Sequence, residues 1–343
     1  MSKRIVFCSD GTWDNAIKRT NVYRFYKALT LGADQMPFYD EGVGADGNPI
    51  TFLVGGAFGT GLWEKIKRGY AKIAHVYETG DDLYLLGFSR GAYTARSLAG
   101  MIAVVGLPTK SFTDELVETA FSAYREEHDR QEWLDKLKDS NMETPDIKMV
   151  GVWDTVGSLG IPAIFGGFDP ILYGFLNKNL SPRVKFAFHG LAIDEKRAQF
   201  RPTLWDTTPV AGQVIEQVWF TGCHADVGGG DIDPEIDTPS LTDITLGWMI
   251  ARARALGLTF DQAVLDAYKL PIAFHYSLEK IHESWTALNG VPIHRSIDKN
   301  AMLANSVRAR CQLDASYRPK PLKFTKGALS KQYSLAVIVN DQN

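Results

Sequence analysis

Gly87-Phe88-Ser89-Arg90-Gly91 joins an apolar run, Asp82–Phe88, to a stretch rich in small residues: Ala92, Ala95, Ser97, Ala99 and Gly100. A serine with glycine at minus two and plus two, set between a strand and a helix, has the pattern of a nucleophile elbow. Side chains at the glycine positions would strike the neighbouring strand and helix, and the strained turn lifts the Ser89 hydroxyl clear of both. Amides at the start of the helix favour the oxyanion formed in acyl transfer. A hydroxyl at its ordinary pKa is a weak nucleophile, so the serine needs a base, and the base needs a group to fix its tautomer.

On this fold the acid and then the histidine follow the serine in chain order. The chain has seven histidines. His75 precedes the serine and His128 sits in a polar helical stretch. His189, in Phe186-Ala187-Phe188-His189-Gly190, reads as a core residue of an apolar, helix-like run. His275, His282 and His294 lie in a tail of little periodicity. His224 stands out, because it follows Val218-Trp219-Phe220 and opens a glycine-rich loop that ends in Gly228-Gly229-Gly230. Asp154 is the carboxylate that ends the strong β run Ile147–Trp153, between the serine and the histidine. Asp194 and Asp226 are its rivals, although Asp226 stands so close to His224 that stiffening the loop suits it better. One oxyanion donor falls to the amide of Arg90, and the other to Gly11 or Thr12, in the loop after the opening strand.

Other chemistries fit less well. Asp10-Gly11-Thr12 is reminiscent of aspartyl phosphotransferases, but Cys8 occupies the position of their nucleophilic aspartate. The glycine loop 55–61 lacks the Gly-Lys-Ser/Thr ending of a phosphate-binding loop and reads as shape-setting. The acidic loop 231–237 has no EF-hand spacing and reads as solvated. Metal-assisted hydrolysis through Asp10 and Asp226 is a third mechanism, which a chelator would abolish. The reading adopted requires neither metal nor cofactor.

These residues must be carried by a sheet whose strand C-terminal ends meet. Short β runs at 4–7, 37–39, 82–88, 147–153 and 214–220 alternate with helical stretches at 21–31, 62–77, 91–105, 114–139 and 240–256. That alternation predicts an α/β fold: a mostly parallel sheet flanked by helices as a three-layer sandwich of the α/β-hydrolase type. We expect one domain over 1–343, with a lid-like insertion at 157–180 and a C-terminal segment, 258–343, wrapped around it. The apolar stretch Ile161–Leu176 suits a fatty-acyl chain. Ile161 and Phe165, with Trp13, are the candidate substrate contacts.

The chain has 343 residues, with 37 basic and 40 acidic ones for a net charge of −3. That balance gives no global field for nucleic acid. Cys8, Cys223 and Cys311 have neither disulfide nor zinc-ligand spacing, which suits a reducing cytoplasm. No signal-peptide core or membrane-spanning run is present, so the expectation is a cytoplasmic protein where it is made, with signal-independent export open to it.

Taken in order, Asp10-Gly11-Thr12-Trp13-Asp14-Asn15, Gly87-Phe88-Ser89-Arg90-Gly91-Ala92-Tyr93-Thr94-Ala95-Arg96, Trp153-Asp154-Thr155-Val156-Gly157-Ser158 and His224-Ala225-Asp226-Val227-Gly228-Gly229-Gly230 resemble an α/β-hydrolase domain family that includes type VI secretion phospholipase effectors. The resemblance spans roughly Ile5 to Leu256. It implies Ser89 as nucleophile, Asp154 as acid and His224 as base, and a structural role for the stretch from His189 to Phe200. The expected activity is hydrolysis of carboxylic esters, lipid or fatty-acyl esters above all, with peripheral membrane contact. The alternative is a non-catalytic binding protein on the same fold.

Overall fold

Runs such as Ile5–Cys8 and Leu83–Leu86 are apolar without alternation, so as strands they must be covered on both faces. The computed structural model describes residues 2–11, 19–41, 57–110, 112–126, 128–156, 179–230, 240–270 and 274–338. Its strands, in chain order, are β1 (Arg4–Ser9), β2 (Gln35–Asp40), β3 (Asp82–Phe88), β4 (Leu107–Pro108), β5 (Met142–Glu143), β6 (Ile147–Trp153), β7 (Val184–Ala192), β8 (Val214–Phe220), β9 (Met302–Ala304), β10 (Phe324–Thr325), β11 (Ala328–Leu329) and β12 (Ser334–Ala336). The α-helices are α1 (Asn21–Ala28), α2 (Ala57–Val76), α3 (Arg90–Val105), α4 (Asp114–Arg125), α5 (Arg130–Lys136), α6 (His224–Gly228), α7 (Leu241–Ala255), α8 (Gln262–Ala267) and α9 (Asn305–Leu313).

Eight strands form the central sheet in the order β12-β9-β8-β7-β6-β3-β1-β2. Every pairing in it is parallel. Alternate residues of one strand enter different cores. Ile5 and Phe7 join the cluster packed with α2, α3 and α4, while Val6 and Cys8 join the one packed with α1 and α7. This is the helix–sheet–helix sandwich of an α/β-hydrolase-like fold. From β1 the chain moves one way to β2, then returns to place β3 on the other side of β1. Such a reversal opens a crevice beyond the strand C-terminal ends, where open α/β sheets bind their ligands.

Three sequence expectations need correction. The run around His189 is the middle of strand β7, not a helix. A strand buried on both faces and a buried helix give the same unbroken apolar run, and periodicity does not separate them. The helix expected over 114–139 is two, α4 and α5. Within the glycine loop expected over 55–61, the chain from Ala57 is already helix α2. The tail adds β9 and β12 to the edge of the sheet. Residues 157–178, which hold most of the expected lid with Ile161 and Phe165, lie outside the described residues, as do Thr12, Trp13 and the acidic loop 231–237.

Candidate active site

Ser89 stands at the junction of β3 and α3 with φ 56° and ψ −118°. The strain is imposed from both sides. A Cβ on Gly87 would come within 2.2 Å of the Gly91 carbonyl oxygen, and one on Gly91 within 2.0 Å of the Ser9 carbonyl oxygen. Only hydrogen fits at either position, so the end of β1 lies directly against the first turn of α3. The Ser89 N–H donates to the Trp153 carbonyl at 3.1 Å, tying the elbow to the end of β6.

Asp154 is the next residue after Trp153, also with positive φ, 38°. Its N–H donates to Gly190 O of β7 at 2.7 Å. The carboxylate is fully buried. Oδ1 accepts from the Ala192 N–H at 3.0 Å, and Oδ2 lies 2.6 Å from His224 Nδ1. Arg295 closes on both oxygens, Nη1 to Oδ1 at 2.5 Å and Nη2 to Oδ2 at 2.8 Å. Burial by itself would raise the Asp154 pKa. The Arg295 charge and hydrogen bonds, with those of His224, outweigh burial and hold the carboxyl well below its usual range.

His224 opens α6, four residues beyond Phe220 at the end of β8, and its Nε2 lies 2.9 Å from Ser89 Oγ. With the Nδ1 proton directed at Asp154, Nε2 is left to accept from the serine hydroxyl. The ring is flanked by Phe88 at 4.6 Å and by Phe200 at 4.8 Å between centroids. Three carboxylates set the loop that carries it. Asp194 accepts from the Gly222 N–H at 2.8 Å, Asp226 from the Cys223 N–H at 2.9 Å and Glu195 from the His224 N–H at 3.2 Å. Asp226 also accepts from His282 Nδ1 at 2.6 Å. Both rivals of Asp154 are thus bound into the loop, and Asp154 is the one that meets the imidazole.

Just past β1, which neighbours β3, Asp10 is buried and accepts from Gly11 N–H at 2.9 Å, Thr20 Oγ1 at 2.6 Å and the Tyr39 hydroxyl at 2.7 Å. The Gly11 amide, one of the two candidates for the second oxyanion donor, is therefore engaged by Asp10. Among the described residues, no three His, Cys, Asp or Glu side chains converge as metal ligands, and no helix is long and apolar enough to cross a membrane.

The residues that sequence reasoning missed are Arg295, Glu195 and the two rings around His224. Phe88 lies within the quoted serine motif, and Glu195 and Phe200 fall in the stretch given a structural role. Arg295 carried no signal, since it stands 141 positions from Asp154 in a segment without motif or period.

Comparison with known proteins gives three findings. An uncharacterized protein of Saccharomyces cerevisiae, YEL023C, is 29% identical over 235 residues, which is 60% of this chain and 33% of the yeast protein. The crystal structure of an uncharacterized protein from Pseudomonas aeruginosa aligns with a TM-score of 0.47 at 18% identity, over 78% of this chain and 47% of that one. The chain thus spans about a third of its yeast relative and under half of the solved one. Residues 3–252 match the family model of the T6SS phospholipase effector Tle1-like catalytic domain.

Proposed function

We propose that this chain, which belongs to the T6SS phospholipase effector Tle1-like catalytic domain family, hydrolyses carboxylic esters of lipids through an acyl-enzyme on Ser89. The observation that carries the reading is the relay Ser89 Oγ, His224, Asp154, with contacts of 2.9 and 2.6 Å at the C-terminal edge of one sheet. His224 Nε2 takes the hydroxyl proton as Ser89 Oγ attacks the ester carbonyl. Asp154 keeps the other ring proton on Nδ1 and offsets the charge of the imidazolium. The tetrahedral oxyanion forms beside the first turn of α3, where we assign the Arg90 amide to it. With the Gly11 N–H on Asp10, the second donor falls to Thr12. As the carbonyl re-forms, the alcohol leaves with the proton from Nε2. Water, deprotonated by the same nitrogen, then releases the acid and returns the proton to Ser89.

A lipid substrate is supported by the family and by the apolar run Ile161–Leu176. Trp13, Ile161 and Phe165 are the proposed acyl contacts. In this reading the lid 157–180 and the tail belong to one hydrolase domain, and the protein acts at a lipid surface.

The test is turnover of an acyl-chain-length series of 4-nitrophenyl esters and of phospholipid vesicles, alongside fluorophosphonate labelling. We expect the parent to label at Ser89 and Ser89→Ala to lose about 10⁴-fold or more in kcat. Turnover in Ser89→Ala within a few-fold of the parent sinks the mechanism. A folded parent that neither labels nor turns over any ester would leave the non-catalytic binding protein as the reading.

A further inference from the structure

Arg295 lies beyond residues 3–252, the part that matches the family model, yet it makes the closest cationic contact to the catalytic acid proposed above. Its side chain is 3% exposed and meets the Asp154 carboxylate fork to fork. The same two nitrogens donate to Ala192 O at 2.8 Å and Phe200 O at 2.7 Å, so the guanidinium plane is fixed by backbone on two sides. The segment leading to it is pinned where the Ile293 N–H donates to Lys196 O at 2.8 Å.

A buried ion pair is a poor stabiliser, because removing two charges from water cancels most of their attraction. What this pair supplies is direction and field. Each carboxylate oxygen has two partners: Oδ1 the Ala192 amide and Nη1, Oδ2 the imidazole and Nη2. A bidentate fork fixes the carboxylate plane in a way a point charge does not. Its charge also offsets part of the negative charge that would otherwise draw a proton onto His224.

We propose that Arg295 is a positioning residue of the hydrolytic site. It holds Asp154 in plane for His224 and sets the pH at which the Asp154–His224 pair takes up a proton. This rests on the reading of Ser89, His224 and Asp154 given above. Among the described residues, the titratable groups near the pair include His189, Glu195 and Asp226. His189 of β7 is kept neutral, pushed down to about 3 by burial and then by the charge of Arg96. Glu195 is paired with Arg197, and Asp226 of α6 with His282. Removing the Arg295 charge makes the pair easier to protonate, so its basic form appears at higher pH.

The experiment measures kcat and kcat/KM of the full chain on 4-nitrophenyl butyrate from about pH 5 to about pH 9. It compares the parent with Arg295→Gln, Arg295→Lys and Ser89→Ala. Arg295→Gln should lose about 100-fold in kcat and move the acidic limb of the profile up by about one pH unit. Arg295→Lys should bring the limb back, with kcat only partly restored, since an ammonium cannot make the fork. A folded Arg295→Gln protein with an unmoved limb overturns the proposal. Should Arg295→Gln not fold, Arg295→Lys decides: parental kcat overturns the proposal, and reduced kcat with the limb in place supports it. Failure of the triad reading has its own mark, full turnover in Ser89→Ala.

Discussion

Asp10 and Asp154 each follow a strand of the same parallel sheet, β1 and β6, at the same edge, and both are fully buried. Burial pushes both carboxyls toward the neutral form, and their partners decide whether that pressure prevails. Asp154 faces a guanidinium fork and an imidazole and is held well below the usual range. Asp10 is given two hydroxyls and one amide, with Lys65 as its nearby cation, and burial keeps it above the usual range. Lys65 itself is buried and lowered, and it divides its charge between Asp10 and Asp40, 3.4 Å from an oxygen of the latter. The lesson is that neutral donors satisfy a buried carboxylate without offsetting the upward push of burial on its pKa, whereas a directly bound cation does both. In the proposed mechanism Asp154 stabilises an imidazolium, while Asp10 binds the start of the loop beside it through the Gly11 amide.

The largest effect should come from removing the charge on the Asp154 side. Asp154→Asn should cost about 10⁴-fold in kcat, because the asparagine favours the wrong tautomer of His224. It should also lower stability in urea by about 3 kcal/mol, because Arg295 is left buried without its carboxylate. A kcat within tenfold of the parent's would break the functional half of the contrast.

Next comes the seam between the two regions. Gly91→Ala puts a methyl 2.0 Å from Ser9 O and 2.6 Å from Asp10 O. We expect about 3 kcal/mol of lost stability in a thermal melt, with loss of fluorophosphonate labelling at Ser89. A variant that melts and labels like the parent would show that the elbow and the β1 loop are not held against each other.

The smallest effect, and the sharpest in sign, belongs to Asp10→Asn, which should stay within about 1 kcal/mol of the parent. The folded pKa of Asp10 lies above its unfolded value of about 3.9. Its contribution is therefore most favourable below that value and is lost as pH rises through the folded one. Asparagine has no such loss, so urea midpoints should favour the variant increasingly as pH rises from about 4. Asp154 runs the other way: its contribution is present above about 4 and is lost only as pH falls through its lowered folded value. A parent–variant difference for Asp10 that ignores pH would erase the contrast.

Much of the site was legible because its signals are local. Gly87, Ser89 and Gly91 report a steric fact about one turn. Asp154 and His224 were found as polar residues closing apolar runs, and the structure brings both within hydrogen-bonding reach of each other. The two-sided burial of the sheet was legible in runs such as Leu83–Leu86. Strand β7 was not, because Phe186-Ala187-Phe188, just before His189, is a short apolar stretch that a buried helix would also produce. The engagement of Gly11 by Asp10 was equally hidden, since residue types alone do not say which acceptor an amide will meet.

The sequence by itself determined the glycine-flanked turn at Ser89, Asp154 and His224 as the candidate partners that follow it, and a parallel sheet to carry them, since these follow from spacing and from patterns a few residues long. Only the tertiary structure decided that Arg295 reaches Asp154 across 141 positions, and that the pKa values of two equally buried aspartates move in opposite directions. Both depend on which groups meet after the chain closes on itself. Electrostatic interaction follows distance in space, which separation along the chain does not encode.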